Sequence, residues 1–416
     1  MNVFQNYGTI LKAVAAVLMK SAWGCTISHN SITNSPRAAI VFSSINMGLK
    51  FAASPATPYR PHVSEHNIIE HCVIANSCLE TNDCGAIYAY GGGFSGPPHG
   101  SLGYDLNNTI RFVNITNVVG VKVCSVGAQK WQCREPRTCV QGRDTTVQGS
   151  PLLPCDPQAY AIYLDGGSND GQGYYGATIY GNVLTASIGG AVFINGGGNT
   201  NVTNNLLLGG RGTQTQMPCY LNKGSQHHWG RGSSFNNNIF SFGLVHDFQN
   251  NGTVTDGGGD PFPVILSSNC LAQIGNTTTA GIGIGSAATD CPGCADPKRL
   301  TAMDFNIYWS TALDVATAPM MFPDLGEKSM DHGRYFAGVP SNWTAWRAQR
   351  VTYERTDQHS RVADPLFVAP ERGDYRLQPH SPAWALGWQE LPPIAVPRRR
   401  RHGKANEAAE ASDSGG

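Results

Sequence analysis

Two acidic positions in the sequence could act as a catalytic pair. Asp83 ends the acidic segment of residues 80–83, directly before a strand-like stretch, and Asp165 ends a similar stretch at residues 161–165. Two carboxyl groups that flank a glycosidic bond can cleave it, because one protonates the leaving oxygen while the other acts as base or nucleophile. The alternative is that both aspartates are turn residues that accept hydrogen bonds from backbone N–H groups.

Aromatic and polar residues near these aspartates are candidates for substrate contacts. Sugars bind with their C–H faces against aromatic rings, so an outward column of rings would form a carbohydrate platform. The alternative is that an insertion packs over such rings, because large exposed apolar patches are unusual in soluble proteins. The predicted substrate contacts are Glu80, Tyr88, Tyr90, Tyr163, Phe193, Asn195 and Trp229. We expect a third catalytic group at His228.

A β-elimination reaction is the alternative chemistry. A base would remove the proton α to a uronate carboxylate, and the bases available are Lys20, His228 and Arg231. Calcium assists some reactions of this kind, and the oxygens it could use here are those of Asp165, Asp170 and Glu80. The sequence has no calcium loop of the D-x-D-x-D type, so we predict no cofactor, with calcium as the alternative.

Both aspartates are positioned by a strand that recurs five times. The copies are residues 16–20, 39–43, 86–90, 161–165 and 191–195, and a second short strand of the form Ile-x-x-Asn-x-Ile often follows. The shortest repeat, from Ala16 to Ala39, is 23 residues long. Two short strands and a turn Asn in a unit of this length predict one coil of a parallel β-helix. No stretch has the 3.6-residue apolar period of a helical repeat.

Strand alternation assigns the side chains of each coil to columns that stack about 4.8 Å apart. Two columns are predicted to point inward: Ile87, Ile162 and Val192, and Ala89, Leu164 and Ile194. Tyr88, Tyr163 and Phe193 point outward between them. The next outward column contains Lys20, Ser43, Tyr90, Asp165 and Asn195, and His228 extends it if Gly230 aligns with Gly197. A turn column of Asn30, Asn182, Asn205 and Asn238 is predicted to serve the fold.

The position of each aspartate in the repeat limits how close the two carboxylates can be. Asp83 enters its strand and Asp165 leaves the equivalent one, seven positions further along the coil. We expect the two carboxylates to meet only if the coil bends between these positions.

The chain divides into three parts. We predict an all-β, right-handed single-stranded parallel β-helix with long insertions over residues 12–300, and further β coils with a cap of the same domain over 301–393. Residues 394–416 are predicted to be a disordered tail. The apolar run within residues 10–19 is predicted to be a strand of the repeat rather than a signal peptide.

Composition limits the partners and the compartment. The formal net charge is zero, which provides no basic field for nucleic acid, and no apolar run reaches the 18 residues of a membrane helix. Twelve cysteines with one CxxC pair favour disulfides over zinc. We therefore predict that the protein lies in the extracellular space or the secretory pathway, and we expect a monomer. The same compartment is indicated by six glycosylation sequons, at Asn107, Asn114, Asn201, Asn251, Asn276 and Asn342.

Several segments resemble a known superfamily. They are Asp-Cys-Gly-Ala-Ile-Tyr at residues 83–88, Ala-Ile-Tyr-Leu-Asp at 161–165, Gly-Arg at 230–231 with Asn-Asn-Ile-Phe at 237–240, and the C-terminal segments 364–367, 374–377 and 381–383. Over residues 12–390 the chain resembles the right-handed parallel β-helix proteins of the pectate-lyase-like superfamily, in particular a branch related to glycoside hydrolases.

The resemblance implies a carbohydrate-active enzyme that cleaves a plant- or algal-type polysaccharide by hydrolysis or elimination. Two positions depart from the pattern of that branch. Gly166 stands where an acidic residue is expected after Asp165, and Trp229 stands where a tyrosine is expected after His228. A catalytically silent glycan-binding protein is therefore the third hypothesis.

Overall fold

The protein is described from a computed structural model. The structure describes residues 2–12, 14–43, 64–81, 83–90, 107–120, 123–126, 129–132, 159–165, 174–187, 190–195, 197–208, 215–216, 233–242, 266–267, 302–310, 316, 343–344 and 357–393. Among these residues, no helix is long and apolar enough to cross a membrane.

Each coil visits three parallel sheets in turn. Sheet 1 contains β2 (Val17–Lys20), β5 (Ile40–Ser43), β8 (Cys84–Tyr90), β13 (Ala159–Asp165), β17 (Gly190–Asn195), β21 (Thr215–Gln216) and β24 (Leu266–Ser267). Sheet 2 contains β3 (Thr26–Ser28), β6 (Ile68–Glu70), β9 (Thr109–Arg111), β15 (Thr178–Tyr180), β19 (Asn201–Thr203), β22 (Ser234–Asn236) and β25 (Ala302–Asp304). Sheet 3 contains β1 (Asn2–Gln5), β4 (Asn30–Thr33), β7 (Val73–Ser77), β10 (Asn114–Val118), β16 (Val183–Ser187), β20 (Leu206–Leu208), β23 (Ile239–Phe242), β26 (Ile307–Ser310) and β27 (Arg361–Val362).

This order confirms the predicted parallel β-helix. Strands adjacent within a sheet come from successive coils, and every pairing within the three sheets is parallel. The strand predicted at residues 16–20 is also confirmed, because β2 pairs with β5 at Val17 and Ile40. Crossovers between parallel strands are right-handed in nearly all proteins, so the predicted handedness stays our expectation.

Smaller elements accompany the coils. The antiparallel pairs are β11 (Val123–Val126) with β12 (Gln129–Gln132), and β28 (Phe367–Ala369) with β29 (Asp374–Leu377). A short parallel pair joins β14 (Tyr174–Tyr175) to β18 (Gly197–Gly198). Near the C-terminus lie a 3-10 turn, Pro370–Arg372, and a one-turn helix, Pro382–Ala385.

Side-chain alternation fills the interior as predicted. The two inward columns are at most 1% exposed. Strand pairing also confirms their registers, since Ile162 pairs with both Ile87 and Val192.

An asparagine ladder holds the turn from sheet 2 to sheet 3, as predicted. The Nδ2 group of Asn182 donates to Oδ1 of Asn205 at 2.9 Å, and Nδ2 of Asn205 donates to Oδ1 of Asn238 at 3.0 Å. Asn306 extends the ladder, because it accepts from Asn238 through its Oδ1 atom. In the first coils Asn30 is separated from this run by Cys72 and Val113, and it bonds instead to Asn2 and to the Ser28 carbonyl.

A second ladder, which was not predicted from the sequence, follows sheet 3. It consists of Asn6, Asn34, Asn76 and Asn117, whose side-chain amides are hydrogen-bonded in series. All four have a positive φ, between 51° and 59°, a conformation that Asn tolerates better than most residues. The recurrence of Asn near the end of each of these strands was the available signal.

The ladder provides the first test of the fold. We expect Asn205→Ala to lower the free energy of unfolding by about 3 kcal/mol or more, because it leaves several buried donors and acceptors without partners. Asn205 is fully buried, and it donates to the Ile179 and Thr203 carbonyls as well as to Asn238. Urea unfolding measures the loss. Asn201→Ala, at an exposed position, is the control, and an equal loss in both variants would contradict a structural role for the ladder.

The C-terminal segment packs against the side of the coils. Its residues Phe367, Ala383, Leu386 and Trp388 form one apolar cluster with the outer face of sheet 3, at Val183, Leu206, Leu208, Ile239 and Ile307. Asn204 and the backbone of Gln389 exchange two hydrogen bonds, of 2.9 and 2.8 Å. The segment therefore adds β27 to the stack and then covers a flank of sheet 3. The predicted boundaries at 300 and 393 stay predictions, and residues 394–416 lie outside the described residues.

Candidate functional site

The outward polar column of sheet 1 has the predicted register. Lys20 pairs with Ser43, Ser43 with Tyr90, Tyr90 with Asp165, and Asp165 with Asn195. For Ser43, Tyr90 and Asn195 the structure describes the backbone position and not the side chain. Asp165 therefore lies one coil from both Tyr90 and Asn195, as the repeat requires.

The aromatic column beside it is buried. Tyr163 pairs with both Tyr88 and Phe193, and its ring centroid lies 5.0 Å from that of Tyr88 and 4.6 Å from that of Phe193. The exposed fractions are 6% for Tyr88 and 2% for each of the other two. The sequence left open whether these rings are an exposed platform or are covered, and in the structure they are covered. Sugar contacts with their faces stay a prediction that requires the covering atoms to move.

The two tyrosine hydroxyls contact the two candidate carboxylates. The Oη–H of Tyr88 donates to Oδ2 of Asp165 at 2.6 Å, and the Oη–H of Tyr163 donates to Oδ1 of Asp83 at 3.1 Å. Because the two rings pack on each other, both aspartates lie at the rim of a single tyrosine pair. We refer to Asp83, Tyr88, Tyr163 and Asp165 below as the Asp–Tyr cluster.

A bend in β8 brings Asp83 to this cluster. Gly85 pairs with Tyr160, yet a Cβ atom at Gly85 would lie 2.7 Å from Cβ of Tyr163, three positions further along β13. The same Cβ would lie 2.7 Å from the Ile87 carbonyl oxygen, which is possible only if the strand turns sharply at this point. The bend explains how Tyr163 can reach Asp83, although its own partner is Tyr88.

A disulfide closes the loop that ends at Asp83. Cys78 and Cys84 are bonded, and the loop between them is fixed to the preceding coil by hydrogen bonds from its backbone N–H groups to carbonyls of residues 35–37. Glu80, a predicted substrate contact, lies in this loop and pairs with Lys12 at 2.7 Å. Asp83 itself is exposed and has a left-handed φ of 55°. Asp83 is therefore exposed to solvent, while the disulfide and the backbone hydrogen bonds fix the loop that leads to it.

Burial and charge keep the tyrosines protonated. Desolvation raises the pKa of Tyr88 and of Tyr163 far above the usual value, and the negative charges of Asp165 and Asp83 raise both pKa values further. The guanidinium of Arg37 partly opposes this effect on the Tyr88 pKa. Both tyrosine hydroxyls therefore keep their protons and donate hydrogen bonds to the carboxyl groups of Asp165 and Asp83 throughout the physiological pH range.

These raised pKa values predict an alkaline loss of stability. In the unfolded chain tyrosine loses its proton near pH 10, whereas the folded protein retains it, so the unfolded state binds fewer protons above about pH 10. The free energy of unfolding then falls by about 1.4 kcal/mol per pH unit for each such tyrosine. Denaturant titrations across this range should give a shallower slope for Tyr163→Phe, and a slope equal to that of the unmodified protein would contradict the account.

Other predicted residues lie outside the description. His228, Trp229, Arg231 and Asp170 are not among the described residues. The strand that pairs with β17 is β21, where Phe193 lies opposite Gln216, twelve positions before His228. Of the calcium ligands considered above, Glu80 is paired with Lys12, and Asp165 accepts from Tyr88. Catalysis by His228 and substrate contact by Trp229 stay predictions.

The sequence singled out Asp83 and Asp165 but did not predict how the two residues are connected. Tyr88 and Tyr163 were predicted as surfaces for sugar rings, whereas here their hydroxyls hold the carboxylates. The alternation of β8 and β13 put Tyr88 and Tyr163 next to each other. A sharp bend at Gly85, which joins them to Asp83, follows from a contact between coils that the linear sequence does not display.

Comparisons with known proteins find distant similarity only among solved structures. No protein-family model matches the sequence, and no curated protein matches it. The chain is similar to the catalytic domain of a GH87 alpha-1,3-glucanase in complex with tetrasaccharides, with 14% identity and a TM-score of 0.35 over 57% of this chain and 40% of that one. It is also similar to a PL6 family polysaccharide lyase from Pseudopedobacter saltans, with 10% identity and a TM-score of 0.28 over 84% of this chain and 72% of that one. The chain thus spans two fifths of the glucanase domain, and similarity at these TM-scores does not bear on its reaction.

Proposed function

We propose that the protein is a carbohydrate-active enzyme of the glycoside hydrolase type, which cleaves a polysaccharide with Asp83 and Asp165 as its carboxylate pair. The observation that carries the proposal is the Asp–Tyr cluster, in which one pair of packed tyrosines donates to both carboxylates. Cleavage of a glycosidic bond generally uses two carboxyl groups that flank the bond, about 5 to 9.5 Å apart. The Cys78–Cys84 disulfide supports our expectation of an extracellular or secretory location.

The environments of the two aspartates suggest different roles. Asp83 is exposed, whereas Asp165 is 7% exposed. Hydrolysis consumes a water molecule, and the base that activates it must be reached by solvent. We therefore assign the base to Asp83 and the acid that protonates the leaving oxygen to Asp165. Pairs of titratable groups in contrasting environments commonly divide acid and base work in this way.

β-Elimination is the alternative reaction, and the described part of the site favours it less. It needs a base that removes a proton from carbon. Tyr88 and Tyr163 adjoin the carboxylates, but their raised pKa values keep them protonated. Lys20 is exposed and lies in the column of Asp165, three strands away across β5 and β8. A lyase would therefore depend on Lys20 or on the residues predicted at 228 and 231.

Incubation with a panel of plant and algal polysaccharides tests the proposal. We expect new reducing ends without the ultraviolet absorbance of an unsaturated sugar. Appearance of that absorbance together with the reducing ends would identify a lyase and contradict the hydrolase assignment. Binding without turnover, unchanged in an Asp165→Asn variant, would contradict both enzyme assignments and identify a glycan-binding protein.

A further inference from the structure

Arg37 lies beside the Asp–Tyr cluster. Its guanidinium carbon is 5.6 Å from the centroid of the Tyr88 ring, within range of a cation–π contact. Its carbonyl accepts a hydrogen bond of 2.9 Å from the N–H of Cys78, the residue at which the disulfide loop begins. Arg37 is therefore attached both to the loop that carries Asp83 and to the tyrosine that holds Asp165.

The guanidinium of Arg37 has no carboxylate partner in the part of the chain that the structure describes. The ion pairs there join Lys12 to Glu80, Arg111 to Glu70, His359 to Asp304, Arg372 to Glu371 and Arg376 to Asp374. Asp83 and Asp165 accept hydrogen bonds from the two tyrosine hydroxyls. A contact with a ring face leaves the N–H donors at the edge of a guanidinium open, and their planar fork matches the oxygens of an oxyanion.

We propose that Arg37 binds an anionic group of the glycan, so that the substrate of the proposed site is an acidic polysaccharide. The group is an oxyanion, either a uronate carboxylate or a sulfate ester. This inference rests on the proposed function, because it places the glycan at the Asp–Tyr cluster.

A positive charge at Arg37 would favour the binding of an acidic sugar at this site. The carboxylate assigned as the base, Asp83, would repel an acidic sugar, and a guanidinium beside the Asp–Tyr cluster offsets that repulsion. The cation–π contact with Tyr88 restricts the orientation of Arg37, so less side-chain entropy is lost when an oxyanion binds. Arg37 is half-buried, and a charge at such a position is screened less by salt than one on an open surface.

Binding measurements on a silenced enzyme test the inference. Asp165→Asn protein is titrated by calorimetry with three oligosaccharides of equal length: a uronic acid oligomer, a sulfated neutral oligomer and an uncharged oligomer. We expect Arg37→Gln to weaken binding of one or both acidic oligomers by about 10-fold to 100-fold, the loss typical of a hydrogen bond to a charged group. The acidic oligomer that responds identifies the carboxylate or the sulfate as the recognised group.

Matched variants separate recognition from folding. Arg376→Gln removes one positive charge from an exposed ion pair in β29 and should leave all three affinities unchanged. Arg37→Lys keeps the charge without the planar fork, so it should recover part of the affinity. It also serves as the second variant if Arg37→Gln loses its fold. Thermal unfolding of each variant is measured alongside.

Two results would overturn the inference. One is equal affinity of the Arg37→Gln and Arg37 proteins for both acidic oligomers. The other is that the uncharged oligomer binds as tightly as the acidic ones and that Arg37→Gln lowers its affinity by the same factor. These measurements need no turnover. An acidic oligomer that binds through Arg37 but is never cleaved by the active protein would therefore contradict the proposed hydrolase, whereas the assignment of Arg37 as the residue that binds the anionic group would stand.

Discussion

Asp165→Asn is expected to lower the rate of polysaccharide hydrolysis by about 100-fold or more. General acid catalysis contributes this much in other enzymes, and an amide cannot donate the proton that a carboxylic acid gives to the leaving oxygen. The substitution keeps the size of the side chain and an oxygen that can accept from the Tyr88 hydroxyl. We therefore expect its free energy of unfolding to change little, by about 1 kcal/mol. Initial rates of reducing-end release, with urea unfolding in parallel, measure both effects.

A remote aspartate is the control for this substitution. Asp374 lies in the C-terminal hairpin, where it pairs with Arg376 at 2.6 Å and is distant in sequence and fold from sheet 1. Asp374→Asn should retain the full rate. Retention of the full rate by a folded Asp165→Asn protein would remove Asp165 from the reaction.

Gly85→Ala is expected to damage both stability and activity. The added Cβ would lie 2.7 Å from the Ile87 oxygen, 2.7 Å from Cβ of Tyr163 and 3.0 Å from the Tyr163 nitrogen. These are backbone atoms or atoms bonded to the backbone, so no side-chain rotation relieves the overlap. We expect a loss of about 2 to 3 kcal/mol in the free energy of unfolding, as overpacking of a core costs. Because Tyr163 must move away from β8, its hydrogen bond to Asp83 and the hydrolysis rate are lost as well.

Gly24 provides the matched comparison. It has a left-handed φ of 65°, and a Cβ there meets no atom within 4 Å. Gly24→Ala should therefore cost about 1 kcal/mol, from backbone conformation alone, and leave the rate unchanged. If Gly85→Ala proved no more harmful than Gly24→Ala in either measurement, β8 would not depend on its bend.

The sequence allowed the coils to be predicted because their pattern is local. Alternation in the five strand copies assigns Ile162 and Leu164 inward, and Asn at a fixed distance from the next strand identifies a turn. Register then follows, since a slip of one residue would turn those apolar side chains toward solvent. The predicted register of Lys20, Ser43, Tyr90, Asp165 and Asn195 was therefore correct.

The details of the site depend on contacts that alternation does not encode. A period of two says that Tyr163 points outward from the coil, but not whether that side is covered, and Tyr163 is buried. Asp83 and Asp165 are seven positions apart in the repeat frame, and the missing side chain at Gly85 lets β8 approach Tyr163, which holds Asp83. Arg37 carries no motif, and its position became visible only from its contacts with Tyr88 and Cys78.

The most direct test of the carboxylate pair compares the double variant Asp83→Asn/Asp165→Asn with the two single variants. Groups that act as one unit are strongly non-additive, because removing either already disables the reaction. We predict that each single variant loses about 100-fold or more in the rate of hydrolysis and that the double variant loses little beyond the worse of the two. Losses that multiply in the double variant, or a single variant with the full rate, would contradict the claim that Asp83 and Asp165 work together.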